Sequence, residues 1–170
     1  MRAAYLTELG SPEVITYGEL PRPVPGPTDV LVRVEAVAVN PVDLFVRSGA
    51  YRTSTPFPFV LGRDVVGTVE EVGPGATRFA VGDRVWSHSM GHAGRQGAAE
   101  YCVVGVDRLY HLPTTSTRAA AVLHPVAITH LELFRHARLR PGAIRPGPSP
   151  TRGHLRPSPA ATRSRPGRRS

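Results

Sequence analysis

All 21 valines of the 170-residue chain lie before Pro141, and the last 30 residues hold none. Only Met1 to Arg140 therefore carries enough large aliphatic surface to build a core. The remainder, Pro141 to Ser170, contains 7 Arg, 7 Pro, 4 Gly and 4 Ser, with Ile144 and Leu155 as its large aliphatics. Burial there cannot offset the entropy of ordering, so residues 141–170 are expected to be a disordered tail.

The formal charge of +8 divides at the same place. Met1 to Arg140 holds 14 Arg and all 13 acidic residues, a net of +1, whereas the tail holds 7 Arg and no acid. The basicity is a property of the tail and not of a folded nucleic-acid-binding surface. Without an aromatic residue for base stacking, that tail is expected to have no specific nucleic-acid partner, only weak salt-sensitive contact with phosphates. Apolar stretches reach four to five residues, as in Ala119 to Leu123, against the roughly 20 that cross a bilayer, so no membrane partner is expected. Met1 to Val14 lacks the apolar region of a secretory signal, and a lone Cys102 closes no internal disulfide. The expected compartment is the cytoplasm.

Within the foldable part the apolar residues alternate. Asp29 to Val39 places Val30, Val32 and Val34 on one face with Arg33 and Glu35 on the other, the period of a half-buried strand. Shorter runs at Arg2 to Thr7, Val14 to Leu20, Val65 to Val72, Val81 to Ser87, Ala99 to Val106 and Arg108 to Leu112 are punctuated by Gly10-Ser11-Pro12, Gly73-Pro74-Gly75 and Pro113. The four prolines of Pro21 to Pro27 make an extended connector. Strands this short and numerous predict a mainly β fold, closed or partly closed into an antiparallel barrel. Asn40 as N-cap, Pro41 at the first helical position and Asp43 in the first turn predict a short helix to Arg47, ended by Gly49. After Thr115 or Ser116 the period changes, and Leu123, Ala127, Leu131 and Phe134 form one helical stripe to near Arg140, split or kinked at Pro125.

Three segments then stand in a recognisable order. They are Asn40-Pro41-Val42-Asp43 with Arg47-Ser48-Gly49-Ala50-Tyr51, then Leu61-Gly62-Arg63-Asp64-Val65-Val66-Gly67-Thr68-Val69, then Phe79-Ala80-Val81-Gly82-Asp83-Arg84-Val85. Together with Gly97 to Val103 and Leu112-Pro113 they resemble the medium-chain dehydrogenase/reductase superfamily, and within it the zinc-free NADPH:quinone oxidoreductase group, zeta-crystallin-like enone reductases included. The resemblance implies a GroES-like, partly open β-barrel over residues 1–115 and a helical segment over 116–140 that would lead into a Rossmann domain. The zinc enzymes of the superfamily place a Cys where Asn40 stands and a Gly-His-Glu where Gly62-Arg63-Asp64 stands, so no catalytic zinc is expected here. His88 and His92, on a Gly-rich loop, read as solvated imidazoles.

The implied chemistry is hydride transfer from NADPH to a quinone or activated alkene, with hydrogen bonds doing what a metal does elsewhere. The resemblance makes Asn40 and Tyr51 the candidate catalytic residues, and Asn40, Tyr51 and Thr129 the candidate cofactor contacts. Asn40 could instead serve only as helix cap and Tyr51 as a core aromatic, while Asp43 reads as a capping and dipole acid rather than a catalytic one and Cys102 as a small buried hydrophobe rather than a nucleophile. Gly73-Pro74-Gly75 reads as a hairpin turn and not a phosphate cradle.

A family member would continue past Pro141-Gly142 with a buried strand and a glycine-rich turn that holds the pyrophosphate. This chain has Ala143-Ile144-Arg145-Pro146-Gly147-Pro148 instead. With every cation an Arg, as GC-rich codons give, the expectation is a frameshifted or otherwise truncated reductase, inactive by itself and prone to self-association where the second domain would pack. The alternative is a noncatalytic GroES-like binding module.

Overall fold

The computed structural model describes residues 1–88, 97–113 and 115–140. Expectations for His92 and for the 141–170 tail fall outside these residues. Strand β1 (Arg2–Leu6) pairs antiparallel with β2 (Ile15–Glu19) and, on its other edge, with the two-residue β4 (Phe59–Val60). The larger sheet runs β7-β3-β5-β6-β8, where β3 is Asp29–Ala38, β5 Asp64–Val72, β6 Arg84–Ser87, β7 Tyr101–Gly105 and β8 Leu109–His111. All of its pairings are antiparallel.

The order of this sheet forces it to curl. β7 and β8 are joined by only Val106 to Arg108, yet they occupy opposite edges. Four Cα steps span at most about 15 Å, whereas the edges of a flat five-stranded sheet lie about 19 Å apart. The result is a partly open barrel. Residues 98–100 stitch the two sheets together: Ala4 N–H donates to the Ala98 carbonyl, Glu100 N–H to that of Arg2 and Val34 N–H to that of Glu100.

Alternation decides which side chains fill the barrel. Val30, Val32, Val65, Val69, Val85, Cys102, Val104 and Leu109 close the interior together with Ala76 and Phe79. The opposite face of β5 presents Val66, which packs with Trp86, Ala36 and Leu112 against Ala119, Ala120 and Leu123 of helix α2 (Ala119–His130). A third cluster joins Leu6 and Phe59 to Val46 of helix α1 (Pro41–Ser48).

Most sequence boundaries hold to within two residues, and the exceptions have physical reasons. Val81 to Asp83 is not strand, because Asp83 turns the chain: its carboxylate accepts the Ala80 N–H and Gly82 adopts a φ of +93°. Ala99 makes a lone bridge to Ala3, so β7 starts later. Helix α2 begins at Ala119 rather than Ser116, with Arg118 at the N-cap position. Nor does Pro125 split it. Only one helical bond is lost there, and the orphaned carbonyl belongs to Ala121, an exposed residue that water can reach. The helix instead changes character later, where Leu131–His136 widens to longer-range bonding, with Ala137 N–H donating to the Glu132 carbonyl. Leu131 and Phe134 are exposed, so the predicted stripe is half-buried only at Leu123 and Ala127. Among the described residues no helix is long and apolar enough to cross a membrane.

Candidate functional site

The candidate site forms where β3 hands over to α1, beside the start of β5. Ala38, the last residue of β3, is paired with Asp64, the first of β5, which brings Asn40 close to the Asp64 carboxylate. Gly62 makes the approach possible. Its φ of +89° is left-handed, and a Cβ there would collide with the Val37 side chain, so no other residue delivers Arg63 and Asp64 along this path.

Asn40 occupies the N-cap of α1, as its sequence context predicts, but its side chain does more than cap. Its amide Nδ2 donates to Asp64 Oδ2 at 2.7 Å. The carboxylate of Asp43 accepts the Asn40 backbone N–H at 2.8 Å, one arm of a capping box. Asp43 is thus the capping acid that the sequence suggests, yet it is also buried. That burial pushes its carboxyl above the ordinary value; N–H groups of Asn40 and Gly62 work against the shift, and the neighbouring Asp64 adds to it.

Asp64 is 2% exposed and accepts a second bond, from Nδ1 of His124 on α2, also at 2.7 Å and on the same oxygen. Asn40, Asp64 and His124 therefore form one hydrogen-bonded unit joining barrel and helix. Around it stands an aromatic wall. The His124 ring meets His88 edge-on at 5.8 Å, His88 stacks on Tyr110 at 5.8 Å, and Trp86 lies 5.0 Å from Tyr110.

Tyr51 follows α1 on the exposed side, held by its backbone N–H to the Phe45 carbonyl, and is about half exposed, so it is not a core aromatic. Thr129 is exposed on α2, five residues beyond His124 and about 140° further round the helix, away from the Asp64 unit. Of the three residues singled out by resemblance, Asn40 joins the cluster through its bond to Asp64. His124 and the role of Asp64 escaped sequence reasoning; the available signal was a histidine set between Leu123 and Pro125 on an otherwise apolar helix.

Two further readings can be tested on geometry. Cys102 lies wholly inside the barrel and burial pushes its thiol up to about 12, the state of an inert small hydrophobe. The Gly73-Pro74-Gly75 amides are already used, Gly73 N–H by the Asp29 carbonyl and Gly75 N–H by that of Pro27, so the turn has no donors for a phosphate. Among the described residues no three His, Cys, Asp or Glu side chains converge as a metal ion would require.

A curled, partly open antiparallel barrel is the arrangement of a GroES-like domain. The profile of the alcohol dehydrogenase GroES-like domain matches residues 26–122, more than half the chain, and the chain belongs to that family. It is 38% identical to a quinone oxidoreductase of Mus musculus over 145 residues, 84% of this chain and 43% of that protein. Among solved structures, a mycobacterial quinone oxidoreductase superposes with a TM-score of 0.72 at 38% identity, over 84% of this chain and 43% of the other. An Escherichia coli quinone oxidoreductase complexed with NADPH gives 0.70 at 25% identity, over 81% and 41%. The chain spans about 43% of the length of the curated quinone oxidoreductases it first matches.

Proposed function

We propose that this chain carries the substrate-facing part of an NADPH-dependent reductase of quinones or activated alkenes. The observation that carries the reading is the 38% identity to a quinone oxidoreductase over a stretch long enough to include Asn40, Tyr51 and Thr129. The geometry suits the role in one respect that matters. The bond from Asn40 Nδ2 to Asp64 Oδ2 fixes the nitrogen end of the amide toward the carboxyl group and leaves the second N–H of that nitrogen to be offered to a substrate oxygen. Tyr51, about half exposed after α1, brings a phenol to this side of the domain, and Thr129 contributes a hydroxyl on α2.

NADPH, when bound, supplies the hydride. The residues present fit its reactive end: an oriented amide, a phenol and an aromatic wall. They do not fit its phosphates, because the glycine turn has spent its amides. That turn therefore offers none of the charge-assisted bonds that usually dominate dinucleotide affinity, and this chain is expected to bind NADPH too weakly to measure below millimolar. Calorimetric titration checks this, and micromolar binding would show that the phosphates have a grip elsewhere in the chain.

Reduced nicotinamide mononucleotide, which carries only the reactive end, is the sharper probe. At millimolar concentration it is expected to shift the Asn40 and Tyr51 amide resonances. In a noncatalytic binding module both would stay in place, and the reductase reading would fall.

A further inference from the structure

The Asn40, Asp64 and His124 unit contains a group that the hydride chemistry needs and that neither Asn40 nor Thr129 provides. Reduction by hydride leaves an anion, and a proton must reach it. Of the three linked side chains only the imidazole has a second ring nitrogen that can hold a proton and pass it on. Its Nδ1 is committed to Asp64 Oδ2, while Nε2 makes no hydrogen bond among the described residues. The ring is 23% exposed against 3% for the Asp64 side chain, so a ligand can reach the histidine and not the carboxylate behind it.

The geometry points to His124 as the proton-delivering residue of the site, with Asp64 as its positioning residue. This inference rests on the reductase reading above and deepens it. Asp64 accepts from Nδ1–H and so holds the neutral ring in the tautomer whose Nε2 carries a free lone pair. When the ring is protonated, Nε2–H becomes the deliverable proton and the carboxylate balances the charge. Among the described residues His88 stands edge-on to the ring, and Asp43 and Arg63 belong to the same charged neighbourhood as Asp64.

The balance is complete. A quinone takes one hydride, two electrons with a proton, from the reduced nicotinamide and becomes the hydroquinone monoanion, leaving the oxidised nicotinamide. The Nε2–H bond of His124 breaks as an O–H bond forms on the anion, giving the hydroquinone, and the neutral ring regains its proton from solvent.

The test uses the chain as it is and needs no turnover. With histidine labelled in ¹⁵N, the two ring nitrogens of His124 report the tautomer, and hydroquinone itself is the probe. The expected result is a neutral Nδ1–H tautomer, with the Nε2 resonance moving as hydroquinone donates its O–H to that nitrogen. In His124→Gln, which keeps an amide donor for Asp64, the Asn40 and Tyr51 amide shifts caused by hydroquinone should persist with weakened affinity. In Asp64→Asn the tautomer should move toward Nε2–H, a change that mere structural support would not produce. A wild-type ring found as Nε2–H overturns the inference without any variant having to fold. So does hydroquinone that moves Asn40 and Tyr51 but leaves His124 untouched, and in that case the quinone reading survives. If hydroquinone moves none of the three, both fall together.

Discussion

The barrel interior and helix α2 are built from similar residues and end up in opposite conditions. Val30, Val32, Val65, Val85 and Leu109 are at most 1% exposed, whereas Val122, Val126, Ile128, Leu131 and Phe134 of the helix and the turns after it are 42 to 61% exposed. Apolar character alone does not bury a side chain; a second surface must be present to meet it. The sheet provides its own by curling. The helix meets the barrel with Ala119, Ala120 and Leu123 and leaves the rest of its apolar surface facing outward.

The most severe way to break this contrast is to ask Cys102 to react. Its thiol is in the closed interior and pushed up to about 12, so disulfide exchange with a chromogenic reagent at mild pH should wait for global opening. With a domain stability of about 5 kcal/mol or more, the native rate should be suppressed by about a thousandfold or more relative to urea-unfolded chain. Fast labelling of the folded protein would mean that the barrel is not sealed.

Truncations should then separate the two regions by several kcal/mol. Leu109→Ala opens a cavity in the core and is expected to cost about 2–5 kcal/mol in urea unfolding. Val126→Ala, on the exposed side of α2, should stay within about 0.5 kcal/mol. Similar costs at the two positions would show that the helix face is covered in solution.

A subtler difference concerns the polar rim. Because Asp43 is held above its ordinary value by burial, the folded state binds its proton before the unfolded state does as the pH falls. Stability contributed by this residue therefore increases as the pH drops from above the raised value toward the ordinary carboxylate value. Asp43→Asn removes that dependence, so the wild type should gain on the variant across that window. A constant difference between the two would remove the buried charge from the account.

Smallest is the expected effect of the uncovered helix on the state of association. Sedimentation velocity should detect weak, concentration-dependent self-association, reduced in Val126→Glu/Leu131→Glu. A monomer at all concentrations would show that the exposed apolar side chains are too scattered to attract one another.

What could be read from the sequence was what repeats. Alternation located β3 and β5, and the Asn40, Pro41, Gly49 sequence fixed both ends of α1. The two-residue β4 was not legible, since it sits directly after Pro56-Phe57-Pro58 and is too short to have a period. The site was legible only in part for a related reason. Asn40 and Asp64 are 24 residues apart and His124 a further 60, and one shared carboxylate oxygen leaves no trace in local pattern. Likeness to a family led to Asn40 but drew attention to Arg63, as the residue displacing a zinc ligand, and past the aspartate next to it.

The three residues between β7 and β8 have a further consequence. The barrel is closed there by covalent chain and not by a ladder of hydrogen bonds, so its circumference is set by the length of one loop. Cutting the backbone at Asp107 and joining the original ends elsewhere would leave every strand pair intact while releasing the hoop. Lengthening the link would do the same by degrees, letting the radius, and with it the distance across the rim, be varied without touching a residue of the site.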